Sequence, residues 1–140
     1  MEIRVLGPGD DAAVDEAGHL FDNAIDPGAT VRFLMEAGHH LLVAYDKERP
    51  VGFASGVELT HPDKGTEMFL YELDVDESFR RRGIGTALVD ALVALARERG
   101  CYGVFVLTDD DNRAARATYR RAGGREHSRQ LMIEWAIPAS

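Results

Sequence analysis

The sequence is poor in cysteine, in positive charge and in long apolar runs. Its one cysteine, Cys101, has no partner for an intrachain disulfide, so we expect a reducing, cytoplasmic environment. No secretory leader or apolar run of about 20 residues occurs, so we expect no membrane partner. The 16 Lys and Arg against 24 Asp and Glu give a formal net charge of −8, which disfavours a nucleic-acid partner and suits a cationic substrate.

Motifs for metal ions and for nucleotides are also missing. The five histidines show no ligand spacing and no cysteine partner, so we expect no metal site. A Rossmann site requires Gly-x-Gly-x-x-Gly near the first strand, and a P-loop requires Gly-Lys followed by Ser or Thr. Neither pattern is present, which excludes these two glycine-rich phosphate sites.

Apolar periodicity predicts one mixed α/β domain over residues 1–140. The predicted strands cover 2–6, 40–45, 51–59, 68–75 and 101–107, and one or two last strands fall within 125–137. The predicted helices cover 12–24, 27–37, 113–122 and the segment that starts at Ile84 and stops at Gly100. The order strand, helix, strand over 68–107 predicts one parallel crossover, whereas the strands at 40–45 and 51–59 form an antiparallel hairpin.

One turn between a predicted strand and a predicted helix is suited to bind an anion. It reads Arg80-Arg81-Arg82-Gly83-Ile84-Gly85-Thr86. Two glycines allow a ligand to approach the backbone, and unpaired N–H groups and the helix dipole attract phosphate at a helix start. A solvated basic turn is the alternative interpretation.

A second motif, Asn112-x-x-Ala115-x-x-x-Tyr119-x-x-x-Gly123, lies on the helix that follows. In this order and at this separation, the two motifs resemble those of the GNAT superfamily of acyl-CoA-dependent N-acyltransferases, and the resemblance covers nearly the whole chain. It implies the GNAT fold, a mixed sheet of about six or seven strands flanked by about four helices. It also implies acetyl-CoA as cofactor, and it is compatible with a homodimer through the last strands.

The resemblance implies a role for several residues. A bulge before the anion-binding turn would present backbone amides to the pantetheine arm and the thioester carbonyl, at Leu73, Asp74 and Val75. Pyrophosphate would meet the amides of Arg81, Arg82, Gly83, Gly85 and Thr86, with Arg80 leading the motif. Asn112 would contact pantetheine, and Tyr119 would protonate the departing CoA thiolate. The chain departs from the family pattern at Glu77, where proline is common, and at Gly124, where an aromatic residue is usual.

Two carboxylates beside that strand end are candidates for the general base. An amine attacks only as the neutral base, so a substrate ammonium must first lose a proton. Glu72 and Asp74 share one face of a regular strand, although a bulge would change that phase. We take Glu72 as the base, acting directly or through water, and Asp74 as the second candidate. A surface carboxylate at a sheet edge is the alternative for either residue.

The acceptor is suggested by a narrower resemblance. The segment Tyr71-Glu72-Leu73-Asp74-Val75, the arginine and glycine run after it and the acidic stretch before Asn112 resemble the aminoglycoside 3-N-acetyltransferases of the GNAT type. This implies transfer to the 3-amino group of an aminoglycoside in a ternary complex, as in antibiotic resistance. A polycationic acceptor fits an acidic cleft, and the candidates to line it are Asp22, Asp26, Asp109, Asp110 and Glu134. A solvated loop or a helix cap is the alternative role for each of them. Tyr71 or Trp135 is a candidate to stack against a sugar face, although a place in the core is the preferred interpretation for these aromatics.

Other functions are compatible with the same motifs. The acceptor can equally be a polyamine, an amino acid or a protein amine. A non-catalytic acyl-CoA-binding module would keep the anion-binding turn, but it would have no use for Tyr119 or for a carboxylate beside the thioester.

Overall fold

In the computed structural model, which describes residues 1–139, the strands lie side by side in chain order in one five-stranded sheet. β1 to β4 pair antiparallel, and β4 pairs parallel with β5. The predicted crossover between the last two strands is therefore confirmed. The strands are β1 (Glu2–Leu6), β2 (His39–Asp46), β3 (Arg49–His61), β4 (Gly65–Val75) and β5 (Val104–Val106).

Helices cover both faces of the sheet. They are α1 (Asp11–Glu16), α2 (Pro27–Met35), α3 (Ile84–Glu98) and α4 (Arg113–Arg121). Along residues 1–139, no helix combines the length and the apolar character that crossing a bilayer requires.

Strand β2 shows why helices cover both faces of the sheet. Leu42 and Ala44 belong to the apolar cluster around α3, whereas Leu41, Val43 and Tyr45 belong to the cluster around α1 and α2. Successive side chains of a strand point to opposite faces, so a strand buried on both faces has an unbroken apolar run. The sheet is thus the middle of three layers.

The predicted helix at 12–24 is shorter than expected. It ends at Glu16 and continues only as a 3-10 turn at Gly18–Leu20. Glycine has a low helix propensity because it loses the most backbone entropy on folding, and Gly18 stands where the helix stops. The chain from Phe21 to Asp26 is consequently free to form an open connection to α2.

The prediction of one or two last strands within 125–137 is wrong, because among the described residues 125–139 contain neither helix nor strand. Leu131, Ile133, Trp135 and Ile137 alternate as strand residues do, yet each is at least 69% exposed. Alternation stabilises a strand only where another strand supplies hydrogen bonds and the apolar face is covered, and within residues 1–139 no strand pairs with this segment. The sheet therefore ends at β5, with five strands instead of the six or seven expected.

A charged cluster ties α3 to the ends of β2 and β3. The Glu58 carboxylate accepts hydrogen bonds from His40 Nε2 at 2.6 Å and from Arg99 Nε at 2.8 Å. Arg99 Nη2 also donates to the Ala37 carbonyl oxygen at 3.2 Å. Burial would raise the pKa of Glu58, but the hydrogen bonds from Arg99 and His40 outweigh it, and the pKa lies below 4.5.

We expect Glu58→Gln to lower the free energy of unfolding by about 1–3 kcal/mol at neutral pH, because two donors lose their charged acceptor. The pKa of Glu58 is depressed in the folded state, so its stabilisation is present above the unfolded pKa and is lost as the pH falls through the folded value. Urea unfolding at neutral and acidic pH measures this. The exposed Glu98→Gln should change stability by less than about 0.5 kcal/mol, and an equal loss for Glu58→Gln at both pH values would contradict the assignment.

Candidate active site

A bulge in β4 determines which side chains face which helix layer. Ser55 of β3 pairs with Glu72, but the next residue, Gly56, pairs with Leu70, so Tyr71 is the extra residue. Before the bulge, Met68 and Leu70 pack against α3, and after it the α3 side is taken by Leu73 and Val75. Glu72 and Asp74 consequently lie on the face of α1 and α2.

The bulge lies earlier than expected, at Tyr71 instead of Leu73 to Val75. A side chain at Gly56 would place a Cβ 2.9 Å from Met68 Sδ and 3.0 Å from Leu92 Cδ1. Packing of Met68 on α3 beside Gly56 therefore fixes the register of β4 up to Leu70, and the irregularity falls on the next residue. Because both carboxylates follow the bulge, the expectation that Glu72 and Asp74 share a face still holds.

The β4–β5 ladder stops beside the bulge. It covers Met68 to Leu70 only, because β5 ends at Val106, opposite Leu70. From Tyr71 to Val75, β4 therefore has no strand on its β5 side. An extended ligand arm suits such an edge, because it can use the backbone groups that no strand pairs.

The Glu72 side chain lines a cavity of about 570 Å³ between the α1–α2 connection and strands β3 and β4. The wall contains three carboxylates, those of Asp22, Asp26 and Glu72, and three aromatic rings, those of Phe21, Phe33 and Tyr71. The structure thus brings together four of the predicted acceptor residues, Asp22, Asp26, Tyr71 and Glu72. The other three, Asp109, Asp110 and Glu134, do not line this cavity, since they lie after β5 and in the segment 125–139.

Glu72 and Asp74 have different surroundings. Burial raises the pKa of Glu72, and the charges of Asp22 and Asp74 and a hydrogen bond with Asp22 raise it further. Burial also raises the pKa of Asp74, but this carboxylate accepts the Val75 N–H at 3.0 Å and lies 3.5 Å from Arg80 Nη2. Asp74 is therefore held by Val75 and Arg80, whereas Glu72 faces the cavity.

The backbone of the anion-binding turn, residues 80–86, has free N–H groups that can donate hydrogen bonds to a phosphate. Gly83 starts α3 with φ of 80°, and no side chain caps the free N–H groups of the first helical turn. A Cβ on Gly83 would meet no atom within 4 Å, so the space beside it is open to a ligand. A Cβ on Gly85 would lie 3.2 Å from Thr118 Cγ2. The two glycines thus differ: Gly83 leaves room for a ligand, and Gly85 allows α4 to pack on α3.

The arginines of the turn are partly engaged. Arg80 Nε donates to the Val75 carbonyl oxygen at 3.1 Å, which ties the turn to the end of β4. The Arg82 guanidinium lies over the Phe79 ring, 4.8 Å from its centroid. Arg81 adopts φ of 65°, a left-handed conformation uncommon for a residue with a side chain. Sequence reasoning missed these contacts, because the spacing of a motif does not show which arginines already interact with other groups of the protein.

Asn112 lies directly before α4, and Tyr119 lies within this helix. Asn112 Oδ1 accepts the Ala115 N–H at 3.1 Å and so caps the helix, which leaves the side-chain NH₂ group to donate. Tyr119 packs against the cluster around α3. Burial raises the pKa of Tyr119 above 10.0, so its hydroxyl is protonated at neutral pH, as a proton donor must be.

The chain belongs to the GNAT acetyltransferase family, whose family model matches residues 11–124. Members of this family use acetyl-CoA, and the open turn at Gly83 fits its pyrophosphate. One relative, human N-acetyltransferase 8, is 30% identical over 108 residues, which are 76% of this chain and 48% of that protein. The L-2,4-diaminobutyric acid acetyltransferase of Streptomyces coelicolor is 29% identical over 92 residues, 63% of this chain and 53% of that protein. The chain thus spans about half the length of the curated relatives it matches.

The fold also matches solved structures along nearly the whole chain. An aminoglycoside acetyltransferase from an uncultured soil metagenomic sample superposes with a TM-score of 0.79 and 27% sequence identity, covering 99% of this chain and 98% of that one. The mixed sheet with helices on both faces is therefore the GNAT fold.

We expect Gly83→Val to weaken CoA binding by at least about tenfold, because a branched side chain would occupy the space beside the first turn of α3. Isothermal titration with CoA measures the dissociation constant. Gly100→Val is the matched control: Gly100 also has φ of 80° and an open Cβ position, but it lies after the other end of α3. Both variants carry the same backbone strain, so equal CoA affinities in the two would contradict this placement of the pyrophosphate.

Proposed function

We propose that this protein transfers the acetyl group of acetyl-CoA to an aminoglycoside, at the 3-amino group, in a cytoplasmic ternary complex. One observation carries the proposal: Glu72, just beyond the end of the β4–β5 ladder, faces an acidic, aromatic cavity. Carboxylates attract a polycation, and aromatic rings pack against sugar faces. The name of the metagenomic relative, an aminoglycoside acetyltransferase, supports the same acceptor.

Acetyl-CoA supplies an acetyl group activated as a thioester. Glu72 removes one proton from the acceptor ammonium, directly or through water, and the neutral nitrogen forms a C–N bond as the C–S bond breaks. Tyr119 donates its hydroxyl proton to the leaving sulfur and is reprotonated by the second proton that the nitrogen loses. Glu72 then releases its proton to solvent, so the products are an amide, a thiol and one proton.

The chain's own residues also position the donor. The amides of Arg81, Arg82, Gly83, Gly85 and Thr86, beside Arg80, would hold the pyrophosphate of acetyl-CoA. The edge of β4 at Leu73, Asp74 and Val75, together with Asn112, would hold its pantetheine arm. Because Asp74 already accepts the Val75 N–H and faces Arg80, we prefer Glu72 to Asp74 as the base.

Glu72→Gln should lower kcat by about a hundredfold or more, since an amide cannot accept the proton. In the wild-type enzyme the rate should rise with pH as Glu72 ionises, and this acidic limb should lie above the ordinary value of 4.5, because burial and the Asp22 charge raise the pKa. Thiol release from acetyl-CoA over a pH series measures both effects.

The control for this variant is Glu67→Gln, on the same strand but away from the cavity lining. It should keep kcat within about twofold of wild type, as expected for a surface substitution. Wild-type activity in Glu72→Gln would remove Glu72 as the base.

Among candidate acceptors, we expect thiol release to be fastest with gentamicin-like and kanamycin-like aminoglycosides. A polyamine, an amino acid and a peptide amine complete the panel, and NMR of the product identifies the acetylated nitrogen. Turnover of another amine, with none of the aminoglycosides, would defeat the acceptor assignment. CoA binding without turnover of any amine would favour the non-catalytic module.

A further inference from the structure

The segment 131–137 is apolar and exposed, and it has the alternation of a strand without a strand beside it. Every second residue from Leu131 to Ile137 is a large apolar side chain, and each of these four is at least 69% exposed. Neither apolar cluster of the fold contains any of them. A contiguous apolar surface of this kind is typical of a contact with another molecule.

Strand β5 offers the surface that such a segment needs. It is the last strand of the sheet, so within residues 1–139 its outer edge has no partner. Beside this edge lies an apolar groove of about 340 Å³ between α3, β5 and α4. Among the described residues, Arg97 is the only charged one that lines the groove, and none of 125–139 lines it. An unpaired edge beside an open apolar groove is a template for a further strand.

The chain that leads to the segment is held on the exposed side of α4. Glu126 accepts hydrogen bonds from Arg116 Nε at 2.8 Å and from Arg116 Nη2 at 2.9 Å, and Arg120 Nη2 lies 3.7 Å from the same carboxylate. Residues four apart share one side of a helix. Tyr119 and Ala122, which line the groove, lie on the side of α4 that packs against the cluster around α3. The segment is therefore directed away from the groove of its own copy.

We propose that two copies of the chain exchange this segment, so that residues 131–137 of each copy add a strand to the β5 edge of the other and fill its groove with their apolar side chains. The contact is self-complementary, because each copy supplies one segment and one edge. Main-chain hydrogen bonds fix the added strand, and the apolar face makes it stable. Charge does not oppose the contact, since Glu134, the one charged residue of the segment, is opposite in sign to Arg97 of the groove.

The exchange is large enough for a stable dimer. One tryptophan and three aliphatic side chains bury on the order of 500 Å² when they are covered. Two segments and the two surfaces beneath them therefore bury about 2,000 Å², against about 1,200–2,000 Å² for stable interfaces of standard size. The segment by itself thus provides an adequate interface.

The exchange also bears on the acetyl transfer proposed above. Tyr119 lines the groove, so the segment of the second copy would exclude water beside the proposed proton donor. Thiol release per chain should then fall as dilution separates the copies. This consequence alone rests on the proposed function: a dimer without activity would refute the function and leave the exchange intact, whereas a rate per chain that dilution does not change would refute this consequence.

Trp135→Glu tests the apolar contact. The wild-type chain should be a dimer in solution, and the variant should raise the dissociation constant of the dimer by about a hundredfold or more, because the exchange buries the new charge without a partner. Sedimentation equilibrium measures this constant. Trp135 belongs to neither apolar cluster, so the variant should keep its fold, which far-UV circular dichroism checks. The control Met35→Glu places the same charge on an exposed apolar residue of α2 and should remain a dimer.

Cys101 shows whether the contact joins two copies, because it lines the groove and is the only cysteine of the sequence. Leu131→Cys and Ile137→Cys each place a thiol at one end of the segment, and the strand direction decides which end lies beside Cys101. Under mild oxidation with diamide, one of these variants should form a disulfide-linked dimer on a non-reducing gel. The additional substitution Cys101→Ser should abolish that dimer.

Four results would overturn the exchange. They are a wild-type chain that stays monomeric up to about 100 μM, a Trp135→Glu variant as dimeric as wild type, a disulfide within one chain or in neither variant, and a linked dimer that persists with Cys101→Ser.

Discussion

The one-residue bulge at Tyr71 is the constraint on which the rest of the site depends. A strand alternates its side chains strictly, so without the extra residue Glu72 would follow Met68 and Leu70 toward α3 and be buried in the core. With it, the carboxylate turns to the opposite face and meets the acceptor cavity. The β4–β5 ladder ends at Leu70, the residue before the bulge. The bulge thus turns the proposed base toward the cavity, at the point where the ladder to β5 has ended.

The two faces of the sheet consequently contribute different parts of the candidate site. The α3 face provides the anion-binding turn and carries α4, whose packing on α3 requires that Gly85 have no side chain. The α1 and α2 face provides the cavity, because α1 ends at Glu16 and the chain after it forms an open connection. The anion-binding turn and the cavity both border β4, the strand that contains the bulge. In the proposed reaction, donor and acceptor would therefore approach from opposite faces of the sheet and meet at Glu72.

Sequence reasoning worked where structure is decided locally. The turn between β4 and the start of α3 at Ile84 could be predicted, because its glycines and the apolar pattern after them are local signals. The exact place of the bulge could not, since it depends on Gly56 beside Met68 and Leu92, which are distant in sequence. Asp22 and Glu72 line one cavity, as the narrower resemblance led us to expect, but the shape of that cavity depends on the path of an irregular connection, which a sequence pattern does not show. The segment 125–137 has a strand pattern, but a pattern does not supply the neighbouring strand that a ladder needs.

The carboxylates of this fold differ in how their charge is compensated. Glu58, which does not line the cavity, receives hydrogen bonds from His40 and Arg99, and Glu126 is held by Arg116, which lowers its pKa to about 2. Glu72 has the opposite surroundings, since burial and Asp22 raise its pKa. A carboxylate that is already compensated is a weak proton acceptor, whereas one with a raised pKa binds a proton readily. Glu58 and Glu126 are thus compensated by arginine, whereas Glu72 has no such partner among the described residues, as the proposed role of proton acceptor requires.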